Sequence, residues 1–335
     1  MHNNLPLSTL LLVALQGKSV SRMIADIARL GIADLLGDNV RPVSELAVES
    51  ETNEDALYRV MRALSTLGVF AEHPQRCFAN TQASAYLKRG VPGGLLESLA
   101  WVNCKPFWQA LGNFDYSLRT GESAFTHANG QPLFEYLKED SASARIFNQA
   151  MTLGSVTIGP IVAERYDFTQ VKTLVDMGGG HGALLKEILK VHQHLQGIVF
   201  DLPQVVAGGN AGELGERLQF QGGSFFESTV PQDADIYTIK HIIHDWNDEL
   251  SVQLLRTCRE AMADKGRILV IEQVVSDAPE GMFAKLVDIE MLAITHNGRE
   301  RTQEEFAHLF EQAGLKLTRV IPTGQAAVCI LEGTR

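Results

Sequence analysis

The chain has 335 residues, 45% hydrophobic and 21% charged, enough to bury a sizeable core and to fill about two domains. Its 29 basic against 40 acidic residues leave a net charge of -11, which disfavours nucleic acid or an anionic membrane as the main partner and points to a neutral or zwitterionic ligand. Four cysteines, at 77, 104, 258 and 329, have neither the paired spacing of a zinc site nor the density of a secreted disulfide scaffold, so a reduced, cytoplasmic protein is expected.

The apolar stretch over residues 5–15 is shorter than the roughly 20 residues of a bilayer span, contains Pro6 and has no basic segment ahead of it. It predicts a buried or dimer-forming helix in place of a signal peptide. From residue 9 to about 148 the pattern is helical, with apolar residues three and four apart in Met23, Ile27, Leu30 and in Leu57, Met61, Leu64. Breaks are expected at Gly17, Gly37 and Pro42. Residues 43–48 and 51–64 predict two helices joined by a short turn, the second capped by Thr52 or Asn53, and residues 70–81 suit a small β-wing. A winged helix invites a DNA-binding reading, but Glu51, Glu54 and Asp55 would set negative charge against a phosphate backbone, which leaves a structural or dimerisation role.

After Tyr166 the rhythm changes to short β-branched runs at 173–177, 197–200, 236–240 and 267–273, separated by helical stretches. That is an α/β pattern with a parallel, Rossmann-like sheet. Residues 315–320 and 326–331 predict an antiparallel pair closing the sheet edge. The division is therefore a helical, winged-helix-like domain over 1–150 and a Rossmann-like domain over 151–335.

A strand end, a glycine cluster and a helix start follow one another in Leu174-Val-Asp-Met-Gly-Gly-Gly-His-Gly-Ala, the place where open α/β sheets bind ligands. Gly178, Gly180 and Ala183 satisfy a dinucleotide pattern, and Asp201 lies about 20 residues on, at a strand tip, where a carboxylate accepts ribose hydroxyls. Asp176 separates the two cofactors that fit. A carboxylate at the strand end would repel a pyrophosphate but favour the ammonium group of S-adenosylmethionine, so S-adenosylmethionine is preferred over a nicotinamide cofactor. A glycine turn with no ligand is disfavoured, because so dense a cluster costs stability unless something needs it.

Ile236-Tyr-Thr-Ile-Lys-His-Ile-Ile-His-Asp-Trp runs off the fourth strand toward a helix capped near Asn247 or Asp248, gathering charged and aromatic residues at the ligand end of the sheet. A phenol, with a pKa near 10, is a poor nucleophile at neutral pH unless a base takes its proton, and histidine suits that task. His241 and His244 are the local candidates. A metal is disfavoured because no further ligands can be placed by spacing. Glu272, ending the next strand, reaches the same rim as His244. Glu300 precedes a helix that Thr302 and Glu305 would cap as a box, and spacing alone does not choose between a site role and a solvated one for it.

Four stretches, Val175-Asp-Met-Gly-Gly-Gly-His-Gly, Phe200-Asp-Leu-Pro, Lys240-His-Ile-Ile-His-Asp-Trp and Gly298-Arg-Glu-Arg-Thr, make nearly the whole chain resemble the plant-type small-molecule O-methyltransferases, the caffeate and isoflavone enzymes, and their bacterial secondary-metabolite relatives. The resemblance implies a homodimer whose winged-helix-like region intertwines with its partner and helps to wall the acceptor pocket. It implies methyl transfer from S-adenosylmethionine to a hydroxyl of a small aromatic acceptor, with His244 as base and Glu272 and Glu300 flanking it. For the cofactor it implies Gly178 and Gly180 beside the methionine part, Asp201 on the ribose, Lys240 near the adenosyl group, Ser155 as a further contact, and Ser224 with Phe225 near the adenine. Phe147, Met151, Asp245 and Met291 fall to the acceptor, although such apolar residues at helical spacing are more often plain core. The chain departs from the family at Gly222-Gly223-Ser224, where an acid often follows the glycines, and at His241, often apolar or aromatic. N- or C-methylation, or a rearrangement in which the cofactor only stabilises charge, keeps the same fold; a ligand-sensing winged-helix regulator is the rival from another class.

Overall fold

The computed structural model describes residues 6–91, 93–227, 229–279 and 281–335. They divide into two compact units: one runs to Trp108 and takes in Arg145–Leu153, the other comprises Gln109–Ala144 and Gly154–Arg335.

In the first unit, helices Leu7–Leu11 and Gly17–Arg29 are joined by a wider π-helical turn, Leu12–Gln16. Gly17 is therefore no break: its φ of -51° is helical. Leu5 lies outside the described residues; from Leu7 to Leu15 the large apolar side chains are exposed, so of the two sequence expectations burial within the chain fails. Strand β1 (Arg41–Pro42) leads into helices Val43–Glu49 and Glu54–Thr66, followed by strands β2 (Phe70–His73) and β3 (Cys77–Asn80), which pair antiparallel in the order β1-β3-β2. Asn53 caps the second helix by accepting from the Ala56 N–H at 3.0 Å, and Leu46, Met61, Leu64, Phe70 and Phe78 are buried together beneath it. The expected helix pair and wing are both present.

The second unit is built on strands β4 (Thr173–Met177), β5 (Gln196–Asp201), β6 (Leu218–Gly222), β7 (Ile236–Lys240) and β8 (Arg267–Val275), the two-residue β9 (Arg301–Thr302), and β10 (Lys316–Pro322) with β11 (Val328–Thr334). The sheet order is β6-β5-β4-β7-β8-β11-β10, with β9 pairing onto the last two residues of β8. Strands β4 to β8 are parallel and β10 and β11 are antiparallel; the four β-branched runs match β4, β5, β7 and β8, the closing pair matches β10 and β11, and edge strand β6 has no such run to announce it. Central strands are apolar on both sides because helices cover both faces: Leu174, Val175 and Met177 of β4 are wholly buried. Helix Ser141–Arg165 is long and apolar enough to cross a membrane, yet its Ile158, Val162 and Ala163 are buried against the β4 side of this core.

Candidate active site

The loop after β4 is shaped by what no larger residue tolerates. Gly178, Gly180 and Gly182 all have positive φ, and a Cβ on Gly178 would stand 2.5 Å from Ile242 Cδ1. Gly180 has the same left-handed backbone, but nothing lies within 4 Å of where its Cβ would be, so the loop is open there. Its N–H donates to Asp201 Oδ2 at 2.8 Å, while Leu202 N–H donates to Asp201 Oδ1 at 2.7 Å. Each oxygen of that carboxylate keeps a further lone pair for a hydroxyl donor. The Asp201 carboxyl is raised by burial, against the pull of these two amides.

Asp176 lies beneath this loop, 2% exposed, with Oδ1 accepting from Thr238 Oγ1 at 2.7 Å. Burial pushes its carboxyl up to about 7 against Thr238 and Lys240. Lys240 is pulled below the usual lysine range by its own burial, opposed by Asp176, Glu272 and Asp245. Asp176 is thus bonded to Thr238 at the strand end, under the glycine backbone, with its other oxygen toward Gly179.

The chain leaves β7 through His241, a non-glycine residue at φ 50°, and a single 3₁₀ turn, Ile243–Asp245, carries His244. That turn is tied by its amides to one carboxylate oxygen: Glu272 Oε1 accepts from Ile242, Ile243 and His244 N–H at 2.9, 3.0 and 3.4 Å. The imidazole is tied separately, with Nδ1 2.7 Å from Glu300 Oε1 and 3.7 Å from Glu272 Oε2. Nε2 is 3.8 Å from Asp245 Oδ1. Glu272 and Glu300 are buried, and the second oxygen of each has no hydrogen-bond partner. Burial alone would lower the His244 pKa, but Glu272, Asp245 and Glu300 outweigh it and push it up to about 10. Burial in turn raises Glu272 to about 7 and Asp245 to about 6. His241 stacks on His244 with ring centres 5.4 Å apart and is held neutral, well below the usual histidine value, by burial and by Lys240.

Sequence spacing placed no further metal ligands near His244, whereas the fold brings His244, Glu272 and Glu300 donor atoms within 4.8 Å of one another. That ground for disfavouring a metal falls.

The other expected residues divide. Ser224 Oγ accepts from Phe226 N–H at 3.3 Å and so shapes its own turn, while Phe225, Phe226 and Trp246 form an aromatic cluster in which Phe226 and Trp246 lie 5.1 Å apart, edge to face. Ser155 is 9% exposed on helix Ser141–Arg165. Met291 is buried on helix Gly281–Ile294, whose Asp288 accepts the Glu300 N–H at 2.8 Å. Phe147 and Met151 belong to the first unit, where Phe147 packs edge-on against Trp101 at 5.1 Å. Sequence reasoning missed Thr238, Trp246 and Arg301, although the last two stand inside the motifs it singled out; their contacts are made by tertiary structure.

A model of an O-methyltransferase domain matches residues 108–316, and one of an O-methyltransferase dimerisation domain matches 13–89. The chain is 36% identical to a phenazine O-methyltransferase of Lysobacter antibioticus, covering 95% of this chain and 94% of that one. It is 35% identical to the mitomycin biosynthesis 6-O-methyltransferase of Streptomyces lavendulae, over 95% and 92%. Among solved structures, an O-methyltransferase from neocarzinostatin biosynthesis in complex with S-adenosylmethionine and 2-hydroxy-5-methyl naphthoic acid superposes with a TM-score of 0.77 at 28% identity, covering 94% and 96% of the two chains.

Proposed function

This chain belongs to the O-methyltransferase family that carries its own dimerisation domain, and from that premise we propose how its residues perform the reaction. It is an enzyme, a homodimeric S-adenosylmethionine-dependent O-methyltransferase. We assign residues 1–150 to dimerisation and 151–335 to donor binding and chemistry. Cysteines that form no disulfide among the described residues suit a reducing, cytoplasmic location. The acceptor is a small hydroxylated aromatic of secondary metabolism, in keeping with the relatives' phenazine and naphthoic acid ligands.

The donor site fits its ligand on geometry. Gly178 and Gly180 give a left-handed backbone open at Gly180, and Asp201 retains two acceptor positions beside it, as a ribose requires. When bound, S-adenosylmethionine supplies the sulfonium methyl. Gly178, Gly180, Asp201 and Lys240 line its loop, Ser224 and Phe225 its adenine end, with Ser155 as a further contact. Asp176 acts from below by holding Thr238 and Lys240.

The observation that carries the catalytic reading is the double fixation of His244: amides of its turn on Glu272, imidazole Nδ1 on Glu300 at 2.7 Å. Glu300 holds the proton on Nδ1, which leaves Nε2 to accept the acceptor's hydroxyl proton. The carboxylates also match the base to its acid. Against a phenol near 10, an imidazole raised to about 10 is matched in strength, but at neutral pH it is itself mostly protonated, so only its small neutral fraction accepts the hydroxyl proton and turnover climbs with pH toward that value. Asp245, 3.8 Å from Nε2, and Met291 are assigned to the acceptor. No metal is needed for that proton transfer.

His244→Gln tests the reading. Turnover of a hydroxylated phenazine is expected to fall by about 10² to 10⁴, while the affinity for S-adenosylhomocysteine measured by calorimetry stays within a few fold. Full turnover in the variant removes His244 as base. Mass analysis of the product, showing one added methyl on oxygen, separates this chemistry from N- or C-methylation and from rearrangement.

A further inference from the structure

Glu272 satisfies the amide side of the turn that carries His244; the carbonyl side needs its own partners, and the loop before β9 supplies them. The Arg301 guanidinium, 1% exposed, donates from Nη1 to the Ile243 carbonyl at 3.1 Å and from Nη2 to the Trp246 carbonyl at 2.8 Å. The Arg299 N–H donates to the His244 carbonyl at 2.9 Å. This approach is possible only because residue 298 is glycine, whose Cβ would stand 2.4 Å from the His244 carbonyl oxygen. Arg301 is held in turn by Asp248 Oδ1, at 3.0 Å from Nε and 2.7 Å from Nη2. Its backbone pairs in β9 with Val274 of β8, the strand that bears Glu272.

We propose that Arg301 is a positioning residue for catalysis: acting through the main chain on both sides of His244, it sets the imidazole against Glu300. A buried arginine with a carboxylate partner also has a plain structural use, so the two roles must be told apart. An ion pair outside the turn does that: Glu332 of β11 pairs with Arg319 at 2.7 Å and touches neither the Ile243 nor the Trp246 carbonyl. The planar fork of arginine reaches two carbonyls and a carboxylate at once; lysine, a point charge with a flexible stem, does not reproduce that geometry.

The inference rests on His244 being the base, and the test separates the two. In the intact dimer, Arg301→Lys is expected to lower kcat by about 10- to 100-fold, the scale of an ångström-level misplacement, with S-adenosylhomocysteine affinity within threefold of the parent. Its acid limb in the pH profile of kcat moves to lower pH, because an imidazole drawn away from Glu300 loses part of what raises its pKa. Arg301→Gln, planar but uncharged and shorter, falls in the same direction, and serves should the lysine variant not fold. Glu332→Gln, which breaks an ion pair outside the His244 turn, keeps kcat within threefold even where its melting temperature falls as far. Arg301 variants with parental kcat and an unmoved limb overturn the proposal, as does a Glu332→Gln enzyme that loses turnover in step with melting temperature. High turnover in His244→Gln alongside them sinks the base reading instead.

Discussion

A lone buried carboxylate on β11 and a pair of them around His244 stand in one sheet, Glu332 and Glu272 on neighbouring strands, and they are wired in opposite ways. At the β10–β11 edge, Glu332 is 5% exposed and both oxygens are filled: Thr318 Oγ1 at 2.8 Å and Arg319 Nε at 3.1 Å on one, Tyr166 OH at 2.6 Å and Arg319 Nη2 at 2.7 Å on the other. Its pKa is held near 2 by Arg319, Tyr166 and Thr318 against the opposing effect of burial. Around His244, Glu272 and Glu300 each leave an oxygen unpartnered, and Glu272 is raised to about 7. A saturated carboxylate fixes one charge state and stabilises the fold; an unsaturated one stores the capacity to change charge or partner, at a cost in stability. Burial depth is similar, so the count of donors decides between the two roles.

Glu300→Gln breaks the contrast hardest, by giving the imidazole a neutral partner. Turnover is expected to fall about 10² fold. Removing a negative charge that raises the His244 pKa lowers that pKa, so the acid limb of kcat/KM shifts to lower pH as the rate itself drops; a limb that stays in place or moves upward contradicts the wiring. In the parent enzyme, a base near 10 implies kcat/KM still rising above pH 8, where an ordinary histidine has already reached its plateau.

At Glu332 the effect falls on folding. Glu332→Gln is expected to cost about 3 kcal/mol in urea unfolding at pH 7, with kcat unchanged. The folded pKa lies below the ordinary 4.5, so the stabilisation is fully present above that value and is lost as pH falls toward about 2; the gap between parent and variant should close over that window. A gap independent of pH points to packing in place of charge. Tyr166→Phe sharpens the same comparison more gently: it removes the hydrogen bond donated to Glu332 and the one accepted from Arg267 Nη1 at 3.1 Å, and about 1 to 2 kcal/mol of stability is expected to go with them while Arg319 and Thr318 keep Glu332 ionised.

Much of the site is legible as a string of residues. A glycine cluster after a β-branched run can only be a tight strand-to-helix turn, and an acid at the next strand tip falls at the same edge of a parallel sheet, so Gly178, Gly180 and Asp201 are readable together. His241 and His244 follow as a pair of candidates from their place after β7, and the family resemblance singles out His244. Glu300 is less so. It comes 56 residues after His244, and only the packing of helix Gly281–Ile294, whose Asp288 receives the Glu300 N–H, delivers it to Nδ1. Asp176 shows the reverse: its position along the strand is readable, but not that its side chain faces Thr238 beneath the loop. Gly17 was misread because a glycine is a helix breaker only where its φ demands it, and here its backbone stays helical.

By itself, then, the sequence determined the α/β order, the winged helical unit before it, the glycine turn and the two candidate histidines after β7, since each depends on periodicity or on neighbours a few residues apart. Tertiary structure alone decided which carboxylate touches the imidazole, which one ties its turn, and that Arg301 and Arg299 close over the carbonyls. Those contacts join residues 28 to 58 positions apart, and their geometry depends on how strands and helices pack, which local spacing does not encode.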